Sequence, residues 1–214
     1  GALELTKAIR KSFPEQLIIL GGSHANVAGK ETTHQYDVFD LVAVGSDGEY
    51  TALEIIESYA ESGYSRKTFL ENDQLISSID GIMYNRFGET IENNPRAFIQ
   101  DLDELPFPAR DLFPLERYVP LPNQYKKLPL TNMVVIRGCP YVCTFCDQAG
   151  TGARTRSPAR AVDEIKHCVK DFGVKEISFW DDTMSYNKKW MREFCDLLIE
   201  AQLDVIWSCY AAVN

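Results

Sequence analysis

The sequence has 214 residues, a formal net charge of -9 at pH 7, and 45% hydrophobic and 25% charged residues. That composition is ordinary for a soluble globular protein of one or two domains, and the acidic balance argues against a nucleic-acid-binding surface, which is normally basic. No apolar run approaches the roughly 20 residues of a membrane span and no signal-peptide pattern is present, so a cytoplasmic protein is expected.

The first 62 residues are predicted to be the last part of a doubly wound α/β domain. Apolar positions about 3.6 residues apart predict helices at 2–13 and at about 50–60. The all-apolar runs 17–20 and 41–44 predict strands that are parallel and covered on both faces. The apolar face of the second helix is assigned to Leu53, Ile56 and Tyr59.

Glycines follow both of these strands. Gly21 and Gly22 end the first strand and Gly45 ends the second. The pair at 21–22 has two interpretations, a tight turn or a close approach of the backbone to a ligand, and the turn is favoured on sequence alone. Ser46 and Glu49 fit a capping box at the start of the following helix.

Residues 63–130 are predicted to form a connector. Two short apolar segments that flank residues 86–89 predict a β-hairpin. The proline-rich stretch 101–111 is interpreted as a solvated linker. Residues 118–130, with three prolines and Lys126-Lys127, are interpreted as an exposed loop of no assigned role.

The remaining residues alternate between strand and helix patterns. Strands are predicted at 133–136, 175–180 and 205–210, with helices at 158–172 and 188–201 between them. The first of these helices has Ser157 at its N-cap, Pro158 at its first position and Gly173 at its end. Such β-α-β-α-β alternation predicts a parallel sheet.

Three cysteines lie in the loop between the first of these strands and its helix. Cys139, Cys143 and Cys146 have the spacing C-x-x-x-C-x-x-C, and glycines on both sides make the segment a loop. The thiols therefore follow a strand end, where parallel α/β folds place their chemistry. Clustered thiols in a chain with six cysteines fit a reducing compartment better than a disulfide scaffold.

Three interpretations of this trio are weighed. A core helix with cysteines on one face is disfavoured by the surrounding glycines and proline. A structural zinc site normally has four protein ligands, and no further cysteine or histidine lies within 20 residues on either side. Three thiolates suit an iron-sulfur cluster with one open iron, which is the favoured interpretation.

The trio, with the aromatic Phe145 directly before the last cysteine, resembles the signature of the radical S-adenosylmethionine (SAM) superfamily. The resemblance implies a [4Fe-4S] cluster held by Cys139, Cys143 and Cys146, with SAM on the fourth iron. It further implies reductive cleavage of SAM to methionine and a 5'-deoxyadenosyl radical that attacks a small-molecule substrate. An electron donor such as flavodoxin or ferredoxin is the expected partner.

A second resemblance points to the cobalamin-binding group within that superfamily. Residues 20–26 and 44–49 resemble the end of the cobalamin-binding domain, and residues 101–111 resemble the segment that joins it to the barrel. The resemblance implies cobalamin as a cofactor, with Gly21 and Gly22 against its nucleotide tail. The Asp-x-His-x-x-Gly motif is absent, so none of the chain's three histidines is assigned as axial ligand: His24, His34 and His167.

Two adjacent carboxylates follow the strand at 175–180. Alternation along a strand points Asp181 and Asp182 to opposite faces, so they are not a shared-proton pair. Ile177 and Phe179 suit the helix layer, which directs Ser178, Trp180 and Asp182 inward. Capping is an equal alternative for Asp182. The family resemblance implies that Asp182 contacts the amino or hydroxyl groups of SAM.

Other cysteines are assigned no chemistry. Cys168, Cys195 and Cys209 fall in predicted helices and a strand, where small core residues are expected. Ala212 departs from the resemblance, because many family members have arginine at that place, and a polar contact to SAM is therefore expected to be missing. The matching region also stops after the third strand, so the sequence is expected to be a fragment that is not competent for turnover.

The predicted fold class is therefore α/β. Residues 1–62 form the C-terminal part of a flavodoxin-like cobalamin-binding domain, residues 63–130 a connector with a hairpin, and residues 131–214 the first half of a partial (β/α) radical SAM barrel. The implied function is a radical SAM enzyme for methylation or rearrangement of an unnamed substrate. The alternative is an iron-sulfur protein for electron transfer or regulation that does not cleave SAM.

Overall fold

The computed structural model describes residues 1–45, 47–146 and 148–211. Its chain divides into two compact units, Gly1–Ile99 and Gln100–Asn214, each with α/β architecture. The predictions for Ser46 and Ala212 fall outside the described residues.

The first unit contains a mixed sheet in the order β1-β2-β3-β4 among the described residues. Strands β1 and β2 are parallel, while β3 and β4 are antiparallel to their neighbours. The elements in chain order are α1 (Ala2–Ser12), β1 (Ile19–Leu20), α2 (Ser23–Gln35), β2 (Leu41–Ala43), α3 (Glu49–Glu61), α4 (Arg66–Glu71), α5 (Asp73–Ser77), β3 (Ile82–Arg86) and β4 (Glu89–Glu92).

Strand β2 is covered on both faces, as predicted. Successive residues of a strand point to opposite faces. Leu41 packs into a cluster with Ile55 and Phe69, whereas Val42 packs into a separate cluster with Ala25. The parallel pairing of β1 with β2 is confirmed. The prediction that β1 is covered on both faces is wrong, because β1 is a two-residue edge strand and its Ile19 is exposed.

The two largest differences from the sequence predictions in this unit concern helices. Helix α2 was not predicted, because its buried residues are small or polar and leave no apolar stripe: Ala25, Gly29, Thr32 and Thr33. Helix α3 was predicted but with the wrong face. Its buried residues are Thr51 and Ile55, with Tyr59 against the same cluster, while Leu53 and Ile56 are exposed. The inward stripe follows a spacing of four residues.

The predicted hairpin is confirmed as β3 and β4. It does not stand apart from the first unit, because β3 pairs with β2 through Val42–Met83 and Ala43–Ile82. The hairpin therefore completes the sheet of the first unit, although the sequence assigned it to a connector. The domain boundaries at residues 62 and 130 stay a prediction.

The second unit contains a parallel sheet in the order β5-β8-β9 and a separate antiparallel pair, β6 with β7, within the described residues. Its helices and strands are β5 (Leu130–Met133), β6 (Ile136–Arg137), β7 (Arg154–Thr155), α6 (Pro158–Phe172), β8 (Glu176–Phe179), α7 (Lys188–Glu200) and β9 (Ile206–Ser208). Short 3-10 turns lie at Leu102–Glu104, Arg110–Leu112, Leu115–Arg117 and Met184–Tyr186.

The predicted signals at both ends of α6 are confirmed. Ser157 Oγ accepts a hydrogen bond from the Arg160 N–H, Pro158 is the first helical residue, and Gly173 ends the helix in the left-handed conformation. Ile177 and Phe179 are buried in the core shared with α6 and α7, as predicted. Cys168 is fully buried in this core, and Cys195 and Cys209 pack against it.

The stretch at 101–111 is not a solvated linker, which corrects the sequence prediction. Leu102, Leu105 and Arg110 are buried. Arg110 Nη2 lies 2.6 Å from Glu164 Oε1 on α6, and the Ser157 N–H donates to Asp103 Oδ1. The segment contains only short 3-10 turns in its described residues, and its charged and apolar side chains attach it to α6.

Candidate metal centre

The loop that contains the three cysteines connects β6 to β7. The two strands pair through Ile136–Thr155 and Arg137–Arg154, which closes the loop at its base. Gly138 has a positive φ of 78°, and a Cβ at that position would overlap the carbonyl oxygen of Gly152. Only glycine permits this close approach, so the stem depends on Gly138.

Hydrogen bonds within the loop fix its course. The Cys139 N–H donates to Thr151 Oγ1 at 3.1 Å, and the Gly150 N–H donates to the Tyr141 carbonyl at 2.9 Å. Nearer the tip, the Cys146 N–H donates to the Cys143 carbonyl at 3.2 Å. The backbone is therefore organised by contacts within the loop.

The three thiols differ in exposure. Cys139 is buried at the base of the loop, whereas Cys143 and Cys146 are exposed, and all three are free thiols. Phe145 is 92% exposed. In the described ranges, no group of three or more His, Cys, Asp or Glu side chains is arranged to hold a single metal ion. The donor set itself, three thiolates from one short loop, fits an iron-sulfur cluster, for which cysteine is the usual ligand.

A buried carboxylate lies at the point where the loop leaves the sheet. Asp181 is 2% exposed, and its Oδ1 accepts hydrogen bonds from the Val135 N–H at 2.7 Å and the Ile136 N–H at 2.6 Å. The continuous strand predicted at 133–136 is thus wrong, because β5 ends at Met133 and the next residues turn toward Asp181.

The environment of Asp181 changes its acidity. Burial raises the pKa of this carboxyl group to about 6, while its backbone hydrogen bonds act in the opposite direction. Its second oxygen, Oδ2, is buried and has no hydrogen-bond partner among the described residues. Burial also raises the pKa of the Cys209 thiol, and the charge of Asp181 contributes to that shift.

Asp182 is exposed at the end of β8. The neighbouring Trp180 is exposed too, and its Nε1 donates to Ser178 Oγ at 3.1 Å, which agrees with the predicted alternation. Capping of α7 is supplied by Asn187, whose side chain accepts from the Trp190 N–H. Asp182 therefore does not cap that helix, and its contact with SAM stays a prediction.

At the strand ends of the first unit, the glycine pair begins α2. Gly22 has a φ of 92° at the N-cap, which explains its presence by backbone conformation alone. Gly21 has space around it, since an added Cβ would meet nothing closer than 3.9 Å. Asn26 was missed by sequence reasoning. Its Oδ1 accepts from the Gly45 N–H at 2.8 Å and so links α2 to the end of β2.

No family model matches the sequence. The chain is 29% identical over 210 residues to an uncharacterized methyltransferase of Pyrococcus horikoshii, covering 96% of this chain and 42% of that protein. It is 27% identical over 203 residues to the anaerobic magnesium-protoporphyrin IX monomethyl ester cyclase of Synechocystis sp., covering 94% of this chain and 37% of the cyclase. The chain thus spans less than half the length of these relatives.

Solved structures of two radical SAM enzymes have a fold similar to that of this chain. The cobalamin-dependent SAM radical enzyme OxsB, with aqua-cobalamin and SAM bound, matches with a TM-score of 0.67 at 20% identity over 96% of this chain and 28% of OxsB. The radical SAM methyltransferase TsrM of Kitasatospora setae, with cobalamin and a [4Fe-4S] cluster bound, matches with a TM-score of 0.59 at 18% identity over 93% of this chain and 36% of TsrM.

The predicted resemblance to radical SAM enzymes of the cobalamin-binding group is confirmed at the level of the fold. The chain has an α/β fold similar to that of cobalamin-dependent radical SAM enzymes. In the residues that the structure describes, no helix has both the length and the apolar character needed to cross a membrane.

Proposed function

We propose that this chain is part of a radical SAM enzyme in which Cys139, Cys143 and Cys146 hold a [4Fe-4S] cluster. The observation that carries the proposal is the closed loop of three free thiols at the C-terminal end of a parallel sheet. Parallel α/β folds build their active sites at that end. Three protein ligands leave one iron of a cubane open for SAM.

Two parts of the chain have separate proposed roles. Residues 1–62, with parallel β1 and β2 and the glycines Gly21 and Gly22 at a strand end, correspond to the end of a flavodoxin-like cobalamin-binding domain. Residues 131–214, with the order β5-β8-β9 and helices α6 and α7 between strands, correspond to the first half of a partial (β/α) barrel. Cobalamin is accordingly a proposed cofactor of the whole protein.

When bound, the reduced cluster would supply the electron that cleaves SAM to methionine and a 5'-deoxyadenosyl radical. The chain's own residues hold and orient these groups. The exposed carboxylate of Asp182 can accept hydrogen bonds from the amino or hydroxyl groups of SAM, and the exposed Phe145 ring can cover an apolar part of it. Cys143 and Cys146 are exposed, so a cluster held by them would be accessible to an electron donor such as flavodoxin or ferredoxin. The reaction class is methylation or rearrangement of a small molecule.

Anaerobic reconstitution tests the proposal. About four irons and four sulfides per chain are expected, because three cysteines can hold one cubane cluster. Replacing any one of Cys139, Cys143 and Cys146 with Ala should abolish loading. Stoichiometric zinc without sulfide would overturn the cluster. A loaded protein that forms no 5'-deoxyadenosine from SAM and a reductant would instead support an electron-transfer or regulatory iron-sulfur protein.

A further inference from the structure

We infer that Asp181 is a positioning residue for the cysteine loop. Its carboxylate fixes the direction in which the stem of the loop leaves the parallel sheet, and it thereby places Cys139. The inference rests on the proposed function, because it concerns the same loop. Alternation along β8 directs Asp181 toward the helix layer, on the face opposite to the one proposed to bind SAM.

Strand β8 has a buried carboxylate near each end, and the two make similar contacts. Glu176 is 4% exposed, and its Oε2 accepts from the N–H groups of Lys126 and Lys127, both at 2.7 Å. Asp181 accepts from the two successive N–H groups of Val135 and Ile136. The first pair of N–H groups precedes β5 and the second follows it, so the two carboxylates hold the backbone on either side of the same strand.

The contact at Asp181 occurs where the chain leaves the sheet. The last link from β8 to β5 is the hydrogen bond from the Trp180 N–H to the Met133 carbonyl at 3.0 Å. Beyond it, the N–H groups of Val135 and Ile136 both donate to Asp181 Oδ1. A buried N–H without a partner costs about 1–3 kcal/mol, so the carboxylate decides the path of this turn.

The returning strand holds the same turn from its other side. The Arg156 N–H donates to the Val135 carbonyl at 2.8 Å. Only Arg137 and Gly138 separate the Asp181-bound Ile136 from Cys139, and Gly138 is in close contact with Gly152. A displacement of the stem is therefore transmitted to the buried thiol of Cys139 more directly than to the two exposed thiols near the tip of the loop.

The geometry also predicts which substitutions are tolerated. One oxygen of Asp181 accepts both N–H groups, and the other has no partner in the described part of the chain. Asparagine retains an accepting oxygen at the same distance from the backbone, so Asp181→Asn should preserve the stem. Asp181→Ala removes the acceptor, and Asp181→Ser supplies only a shorter one.

The test compares Asp181→Asn, Asp181→Ser and Asp181→Ala with the matched control Glu176→Ala in the full-length protein containing this chain. Cluster retention after reconstitution and gel filtration, the EPR spectrum of the reduced cluster, and Tm are measured. Residues that support metal ligands typically contribute about 10–100-fold to metal affinity, so at least about ten-fold lower retention is expected for Asp181→Ala. Glu176→Ala should lower Tm by a similar amount but retain the cluster, and Asp181→Asn should match the wild type in cluster retention and in the EPR spectrum.

A second readout does not need the cluster. In the metal-free protein, alkylation followed by peptide mass spectrometry should show Cys139 becoming more reactive relative to Cys143 and Cys146 in Asp181→Ser and Asp181→Ala only. Equal cluster loss in Glu176→Ala at equal Tm loss would overturn the inference, as would an unchanged Cys139 reactivity. If the wild-type protein fails to load a cluster, the proposed function fails, while the alkylation pattern still decides the role of Asp181.

Discussion

The two ends of the parallel sheet in the second unit differ in what surrounds their buried carboxylates. At the N-terminal end, Glu176 holds the backbone before β5, and exposed Asp204 lies 3.6 Å from both Lys127 Nζ and Lys175 Nζ. At the C-terminal end, Asp181 holds the backbone after β5, but the side chains around the strand ends and the loop are large, apolar and exposed: Tyr141, Val142, Phe145, Trp180 and Tyr210.

This difference separates stability from binding. Paired charges at the N-terminal end have their partners within the chain, whereas the exposed apolar side chains of the loop and of the strand ends make the C-terminal end a candidate surface for a ligand or a partner. The C-terminal end also has the three thiols and a carboxyl oxygen without a partner in the described residues. The same kind of backbone clamp thus supports packing at one end and a candidate site at the other, as is general for parallel α/β folds.

The largest effect is expected from Gly138→Ala. The new Cβ would overlap the Gly152 carbonyl oxygen and the residue would need a φ of 78°, so the stem must open. Left-handed strain and overpacking together should destabilise the protein by about 3 kcal/mol. Cluster loading should be lost, as measured by iron and sulfide analysis.

Gly150→Ala is the matched control for that substitution. Gly150 has a similar φ of 72°, but an added Cβ would meet nothing within 4 Å. It should therefore show the conformational cost of about 1–2 kcal/mol while it retains the cluster. Equal cluster loss in both variants would show that any strain in the loop is sufficient, and that the close approach at the stem is not decisive.

The next effect is a pH dependence of stability that arises at the C-terminal end of the sheet. Burial raises the pKa of Asp181 from its ordinary value of 3.8 to about 6 in the folded protein. A raised carboxyl pKa means that the folded state binds the proton more tightly, so the contribution to stability is present below about pH 4 and is lost as pH rises through about 6. Over that pH range, the free energy of unfolding should fall by about 3 kcal/mol.

Urea unfolding of the metal-free protein between pH 4 and pH 8 measures this dependence. Asp181→Asn should remove this contribution to the pH dependence of the free energy of unfolding. The variant should therefore become more stable than the wild type as pH rises, with no difference near pH 4. Parallel curves for the two proteins across this range would contradict the raised pKa and would place Asp181 in a more polar environment than its burial indicates.

Elements with local signals were predictable from the sequence. Helix α6 has its cap, its first-position proline and its terminal glycine all in the expected places. Helix α2 was not predictable, because the residues that it buries are small or polar and give no apolar period. The packing of residues 101–111 depends on pairing between Arg110 and Glu164, which are 54 positions apart, and no local pattern contains that information.

The candidate site was predictable in its thiols and not in its support. Cysteine spacing is a local signal, so Cys139, Cys143 and Cys146 stand out without a structure. The sequence assigns a role to Asp182 and none to Asp181, because alternation along β8 directs Asp182 toward the predicted barrel interior. Yet the same alternation places Asp181 with Ile177 and Phe179 toward the helix layer, and a carboxylate there requires hydrogen-bond donors. That requirement was the available signal. Its donors lie 45 and 46 positions away and were not identifiable.

A smaller effect is expected from Asp182→Ala. If Asp182 accepts a hydrogen bond from SAM, its loss should weaken binding about ten-fold, the loss of roughly 1.4 kcal/mol that is typical for a hydrogen bond to a charged group. The measurement is a SAM titration of the EPR spectrum of the reduced cluster, with iron content unchanged. Asp204→Ala is the control, since it removes an exposed carboxylate at the opposite end of the sheet. An identical titration in both variants would remove Asp182 from the site.

The smallest effect on stability, and the sharpest test of strand ends in the first unit, is expected from Gly21→Ala. Gly21 has no positive φ and an added Cβ would lie 3.9 Å from its nearest neighbour, so the fold should tolerate alanine almost without cost. Gly22→Ala should instead cost about 1–2 kcal/mol, because its φ is 92°. If the pair lies against cobalamin, Gly21→Ala should nevertheless weaken binding of hydroxocobalamin to the full-length protein, as measured by equilibrium dialysis.

Unchanged affinity in Gly21→Ala would mean that the pair serves only to begin α2. The contrast between an end that packs and an end that binds would then hold for the sheet of the second unit alone.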